Sequence, residues 1–255
     1  LKLDLGAQEL AQFIFDHQYD DSQIEAINTL LEHLAESKRE TIVTTLLKMS
    51  RLPLKDPKTF ENFDFSVIKG RDAAKLKTLP SLSAIYAHRN LAFIGPAGTG
   101  KTHLAQAFGY ECCQRGIKTY FIKMSELRDK FTAARRVGKE ASILNGLVRP
   151  SCLIIDEVGH CEFDKENTRL FFDLIDRRYN KEGNFNIVFT SNKHPSHWRT
   201  NFNEDDALLC ALDRIFDDAT VFNIKGESFR GKRLETVALQ TSRVKAPDSS
   251  ETPTP

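Results

Sequence analysis

The sequence predicts an α/β fold, a parallel sheet covered by helices on both faces, with a small helical module ahead of it. Two observations carry this. Five short runs, at 91–94, 119–122, 152–155, 187–190 and 220–224, are rich in Ile, Val, Leu and Phe and do not alternate with polar residues. Helical patterns at about 101–115, 125–148, 166–182 and 206–217 separate them. A strand that is apolar on both sides must be covered on both, and a helix between consecutive strands returns the chain in the same direction.

The N-terminal 50 residues carry only helical spacing. Leu10, Phe13 and Ile14 form one set. Ile24, Ile27, Leu30, Leu31 and Leu34 form a second, after an N-cap at Asp21 or Ser22 with Glu25 at capping-box distance. Ile42, Val43, Leu46 and Leu47 form a third, and Pro53 and Pro57 end the pattern. Two readings stay open: a separate module over 1–55 followed by a linker, or helices belonging to the main core. KTFENFDF then clusters Phe60, Phe63 and Phe65, a loop expected to tuck its aromatics against a main domain spanning 56–241. The tail SRVKAPDSSETPTP, 242–255, has one Val as its sole large apolar residue and three Pro, so disorder is expected there.

The bulk numbers restrict the function classes. The 255 residues hold 36 Lys+Arg against 35 Asp+Glu, so no global field draws the chain to DNA or membrane, although a local basic patch is compatible with this balance. Five Cys without a C-x-x-C pattern read as neither a disulfide framework nor a zinc site. No apolar run approaches a membrane span, and the first ten residues lack signal-peptide character; a cytoplasmic protein is expected.

Between the first strand and the first crossover helix lies Gly95-Pro96-Ala97-Gly98-Thr99-Gly100-Lys101-Thr102, which fits G-x-x-x-x-G-K-[ST] at every specified position. The glycines let successive amides face one centre, and the helix that follows adds its positive end to this anion nest. Lys101 is expected to reach the β- and γ-phosphates of ATP and the Thr102 hydroxyl to ligate Mg2+. On a neighbouring strand, an acidic residue should help hold that ion. Cys152-Leu-Ile-Ile-Asp156-Glu157 supplies Asp156, coordinating through the ion's water shell, and Glu157, placed to polarise the attacking water as general base. Phe189-Thr190-Ser191-Asn192 ends another strand in polar residues; Asn192 either orients the attacking water or caps a loop before Pro195, and its strand-end position favours the first. Arg214 and Arg230 are candidates for an arginine aimed at the transferring phosphate, or for surface ion pairs such as Arg214 with Asp213 or Asp217. Residue chemistry alone does not choose.

Together these motifs resemble the AAA+ superfamily, with GPAGTGKT as Walker A, LIIDE as Walker B and TSN as sensor 1. KTFENFDF, GKTHLAQAFGYECCQRGIKTYF and DRIFDDATVFNIKGESFR resemble the IstB branch, helper ATPases of insertion-sequence transposition and kin of DnaC helicase loaders; the likeness covers about residues 55–235. The resemblance implies that Arg214 is an arginine finger reaching a neighbouring subunit's ATP and that Arg230 is a sensor-2 arginine acting in its own subunit. It also implies ATP-dependent homo-oligomers on double-stranded DNA that activate a cognate transposase. His160, in DEVGH, departs from the Tyr common in the family; lying beyond the carboxylates, it is expected to leave catalysis untouched.

For DNA, residues 123–139 hold six basic residues against two acidic ones. On one continuous helix Arg128, Arg135 and Lys139 fall within about 60°, a phosphate-contacting stripe, whereas Lys130 and the adjacent Arg135–Arg136 pair do not share a face. Composition alone favours a solvated helix face; the resemblance favours phosphate contact by Arg128, Arg135, Arg136 and Lys139. His194, His197, Trp198 and Arg199 form a second candidate patch, equally explained as a surface loop with one packed Trp. The leading function is thus an ATP-hydrolysing transposition helper. The alternatives are a helicase loader and an ATP-gated assembly protein that does not hydrolyse; the intact Glu157 counts against the last.

Overall fold

The computed structural model describes residues 6–68, 73–202 and 205–226. Helix α1 (Ala7–Asp16) turns into α2 (Asp21–Ser50), a single helix of 30 residues that runs through both later apolar sets without a break. Its cap is Asp20, one residue earlier than expected. The Asp20 carboxylate accepts from the Gln23 amide at 2.9 Å, and the Gln23 side chain accepts from the Asp20 amide at 3.0 Å. Asp20 has the extended backbone a cap requires, which leaves Asp21 inside the first turn, where its charge suits the helix dipole. Of α2 only Ser50 is buried, and Leu46 and Leu47 lean on the body. Arg51, in the left-handed conformation (φ 63°), ends the helix; it pairs with Glu126 at 2.9 Å and lies over the Tyr120 ring.

Two short helices, α3 (Ala73–Leu76) and α4 (Ser83–Tyr86), precede the sheet. Its strands are β1 (Asn90–Ile94), β2 (Thr119–Lys123), β3 (Cys152–Val158), β4 (Asn186–Ser191) and β5 (Ala219–Asn223). They lie in the order β2-β3-β4-β1-β5, every pair parallel. The crossovers are α5 (Lys101–Gln114) between β1 and β2; α6 (Met124–Arg136) and α7 (Glu140–Val148) between β2 and β3; α8 (Lys165–Tyr179) between β3 and β4; and α9 (Asp205–Asp217) before β5. The expected single helix over 125–148 is therefore two. Gly138 sits between them at φ 63°, a conformation that side chains resist, and the Lys139 amide turns back to the Ala134 carbonyl at 2.9 Å.

Both faces of the sheet are covered. Leu91 and Phe93 of β1 pack with Leu104 and Phe108 of α5, while Ala92 and Ile94 join Leu127, Phe171 and Leu174 on the other side. Each such buried Leu or Phe contributes about 1.5–3 kcal/mol. A buried charge ties part of this frame together: the guanidinium of Arg178 donates to the carbonyls of Leu147, Val148, Pro150, Ser151 and Asn186 at 2.7–3.2 Å. It thereby binds the end of α7 to the starts of β3 and β4. Burial pulls its pKa down to about 10.

Candidate functional site

The carboxyl ends of β1, β3 and β4 deliver the motifs to one edge of the sheet, around a cavity of about 560 Å³. After β1, Gly98 (φ 79°) and Gly100 (φ 87°) take left-handed conformations that curl the loop, and α5 begins at Lys101. The loop is packed from outside: a Cβ on Gly100 would stand 2.8 Å from Cε2 of Phe63. The Lys101 ammonium, itself buried, donates to the Pro96 carbonyl at 2.6 Å. Behind the loop, the His103 ring bonds the Thr59 carbonyl at 2.9 Å and meets Phe63 edge-on, holding the KTFENFDF segment against α5. Burial lowers the His103 pKa. Phe63, Asn62, Lys58 and Gln106 line this end of the cavity.

Asp156 is not on a strand adjacent to β1, contrary to expectation; β4 lies between them. Doubly wound connections reach across a sheet rather than pairing successive strands, so the motif spacing carries no neighbour relation. The two motifs meet all the same. The Thr102 hydroxyl donates to Asp156 Oδ1 at 2.9 Å, and from the intervening strand the Thr190 hydroxyl donates to the same oxygen at 2.5 Å. Asp156 Oδ2 is buried and has no partner among the described residues. Burial raises the carboxyl above its usual range, and the two hydroxyls pull it partly back. A dry carboxylate oxygen left open beside a hydroxyl and an anion nest suits a hard cation that keeps most of its ligands from water and phosphate. Thr102 and Asp156 thus fit Mg2+.

Glu157 lies within a change of register between β3 and β4, from Ile155 to Val158, and has φ 62°, the left-handed region that a non-glycine residue enters at a cost. Its amide donates to Thr190 Oγ1 at 3.0 Å, and its carboxylate, on the cavity wall, pairs with Lys123 at 3.1 Å. Asn192 also lines the cavity, and its Nδ2 donates to Nε2 of His160 at 3.1 Å. Thr190, Lys123 and His160 were missed as site residues. The polar ending of β4 was a signal for Thr190 and the charge at the end of β2 a fainter one for Lys123; nothing in the sequence links 160 to 192.

Arg214 lies on α9, paired with Asp176 at 3.0 Å and set over the Phe172 and Tyr179 rings, away from the residues lining the cavity. Its partner is neither Asp213 nor Asp217. Arg230 and the tail 242–255 lie outside the described residues. Because the chain breaks at Gly138, Arg128, Arg135 and Lys139 do not form a stripe on one helix: Lys139 caps α7 instead. Arg128 pairs with Asp129 at 2.8 Å, Arg135 with Asp164 at 2.8 Å, and Arg136 closes α6. In the second patch Trp198 is core, 1% exposed, its Nε1 donating to Ser191 Oγ at 3.1 Å.

A family model described as IstB-like ATP binding protein matches residues 2–236. The chain belongs to the IstB-like ATP-binding family. A relative from Geobacillus stearothermophilus, named for ATP binding in the insertion sequence IS5376, is 36% identical over 89% of this chain and 88% of its own. Another, from Pseudomonas aeruginosa and named likewise for IS21, is 34% identical over 76% and 72%. Among solved structures, the DnaC helicase loader superposes with a TM-score of 0.53 at 19% identity, over 66% of this chain and 97% of that one. AMPPCP-bound DnaA from Aquifex aeolicus gives 0.55 at 22%, over 69% of this chain and 51% of that one, so this IstB-like chain matches about half of DnaA's length. At such identities the likeness is one of fold: the P-loop AAA+ architecture. No helix among the described residues is long and apolar enough to cross a membrane.

Proposed function

We propose that this IstB-like protein hydrolyses ATP and uses the cycle to assemble on double-stranded DNA and engage the transposase of its insertion sequence. The observation that carries the reading is the meeting of Thr102 from the start of α5 with Asp156 of β3 and Thr190 of β4, the second oxygen of the buried Asp156 carboxylate having no partner among the described residues. Thr102 and Asp156 would hold Mg2+, which when bound neutralises phosphate charge. Lys101, released from the Pro96 carbonyl, would bind the β- and γ-phosphates. Glu157 would take the proton of the attacking water, which requires it to leave Lys123; in the ion pair its charge is already satisfied. Asn192 would fix that water in line. Arg214, whose guanidinium lies away from its own cavity, suits a finger offered to a neighbouring copy, which is the argument for a homo-oligomer. In this reading residues 56–241 are the engine, Arg230 acts on the same subunit's nucleotide, and residues 1–55 form a helical module ahead of it, with the action in the cytoplasm. DNA phosphates would be met by Arg128, Arg135, Arg136 and Lys139, the first two only by exchanging their carboxylate partners.

Two relatives named for insertion sequences favour the transposase as partner. The DnaC-like fold keeps the helicase loader as the second reading. Turnover of purified protein, with and without duplex DNA, tests the chemistry. Glu157→Gln should keep ATP binding and lose about a hundredfold or more in kcat; unchanged kcat would remove the carboxylate from the mechanism. Co-purification against the transposase and the replicative helicase separates the two readings by partner.

A further inference from the structure

We propose that His160 is a positioning residue for hydrolysis, acting through Asn192; the inference rests on the reading that this site turns over ATP. The ends of β3 and β4 are tied residue by residue. Thr190 binds Asp156 and the Glu157 amide, and the Ser191 hydroxyl donates to the Val158 carbonyl at 2.7 Å. Asn192 donates to His160 at 3.1 Å. The first two ties are buried; the third is exposed at the cavity wall, where both partners line the space that holds Glu157.

The chemistry of this last tie is directional. A carboxamide nitrogen offers only donors, so with Nδ2 turned to the ring Nε2 of His160 accepts, which the tautomer protonated on Nδ1 provides. With Nδ2 committed to the ring, Oδ1 is the end of Asn192 left to accept a hydrogen from water. Asn192 is exposed, so packing does not choose between the two ends of its amide; in the tautomer protonated on Nδ1, the imidazole does. His160 is itself placed by the turn after β3: its amide donates to the Glu157 carbonyl at 3.2 Å, and Gly159 before it has φ 89°. The residue carrying the general base therefore also seats the ring that orients the water-holding amide.

The test is steady-state ATP hydrolysis by the full chain for His160→Phe, His160→Gln, Asn192→Ala and the His160→Phe/Asn192→Ala pair. His160→Phe keeps a flat ring and removes the acceptor; kcat should fall about three- to tenfold with KM for ATP within twofold. His160→Gln, whose side-chain carbonyl can accept the same hydrogen, should restore most of the loss. In the Asn192→Ala background His160→Phe should cost nothing more, because the group it positions is gone. Undiminished kcat in His160→Phe, an equal loss on top of Asn192→Ala, or a Gln variant as slow as Phe would each overturn the inference while leaving hydrolysis standing. Wild-type protein that binds ATP and never turns it over would overturn both.

Discussion

Removing one hydroxyl, in Thr190→Val, tests the core of the site. Thr190 is 1% exposed and its Oγ1 makes two bonds, one to the Asp156 carboxylate at 2.5 Å and one from the Glu157 amide at 3.0 Å. Valine fills the same volume, so no cavity forms and the loss is polar. A hydrogen bond to a charged group is worth about 1.5–3 kcal/mol and a neutral one about 1, giving a destabilisation of about 2.5–4 kcal/mol. For a chain of this size that lowers Tm by roughly 5–15 °C. Function should suffer more than stability. Asp156 would keep only Thr102 as a donor, so its carboxyl, already raised by burial, should rise further and hold a cation less well at neutral pH. Glu157, in a left-handed conformation that its amide bond to Thr190 helps maintain, would lose that anchor. Thermal unfolding without nucleotide, followed by ATP turnover at a temperature where both proteins are folded, reads the two effects separately. Thr190→Ser, which keeps the hydroxyl, is the control. A Val variant with wild-type Tm and turnover, or a Ser variant as damaged as Val, would refute the reasoning.

Three further outcomes follow from the geometry. Lys101→Ala should abolish nucleotide binding, measured by fluorescent-nucleotide titration, and with it any ATP-stimulated association with DNA; ATP-dependent DNA binding at wild-type strength would refute the assignment of the loop. Arg214→Ala should leave nucleotide affinity near normal but slow turnover, and a monomeric preparation hydrolysing at the full rate would rule out action across a subunit boundary. Arg178→Met should destabilise the fold by about 3–5 kcal/mol, since it removes five bonds to main-chain carbonyls at once, although Lys181 still reaches that of Pro150 and the Asn186 amide that of Ser151; a Tm within two degrees of wild type would refute the keystone role.

Much of the fold was legible because strand and helix periods differ and because the site motifs sit at strand ends, where the chain must turn. Four of the five strands fell within one residue of their observed ends, and β3 runs three residues further than expected, to Val158. Legibility failed where one residue outweighed the pattern around it. Gly138 split a helix whose apolar spacing continued on both sides. Asp20 captured a cap because Gln23 could answer it, although Asp21, Ser22 and Glu25 offered the same chemistry one or two residues later. Sheet order was invisible, since a helical crossover has the same length whether it skips a strand or not, so Asp156 was expected on a strand beside β1. Contacts between residues close in the fold but unrelated by motif, such as Lys123 with Glu157, Asp176 with Arg214 and His160 with Asn192, needed the tertiary structure.

The long N-terminal helix has a mechanical corollary. At 1.5 Å per residue its 30 residues extend about 45 Å, and a tilt of ten degrees about Ser50 would carry its far end roughly 8 Å. The pivot is fastened through Arg51 to Glu126, in the first turn of α6, which follows β2 directly after Lys123. Small rearrangements where Lys123 meets Glu157 are thus made beside the fulcrum of an outrigger, and a distant binder touching its tip would have the larger stroke.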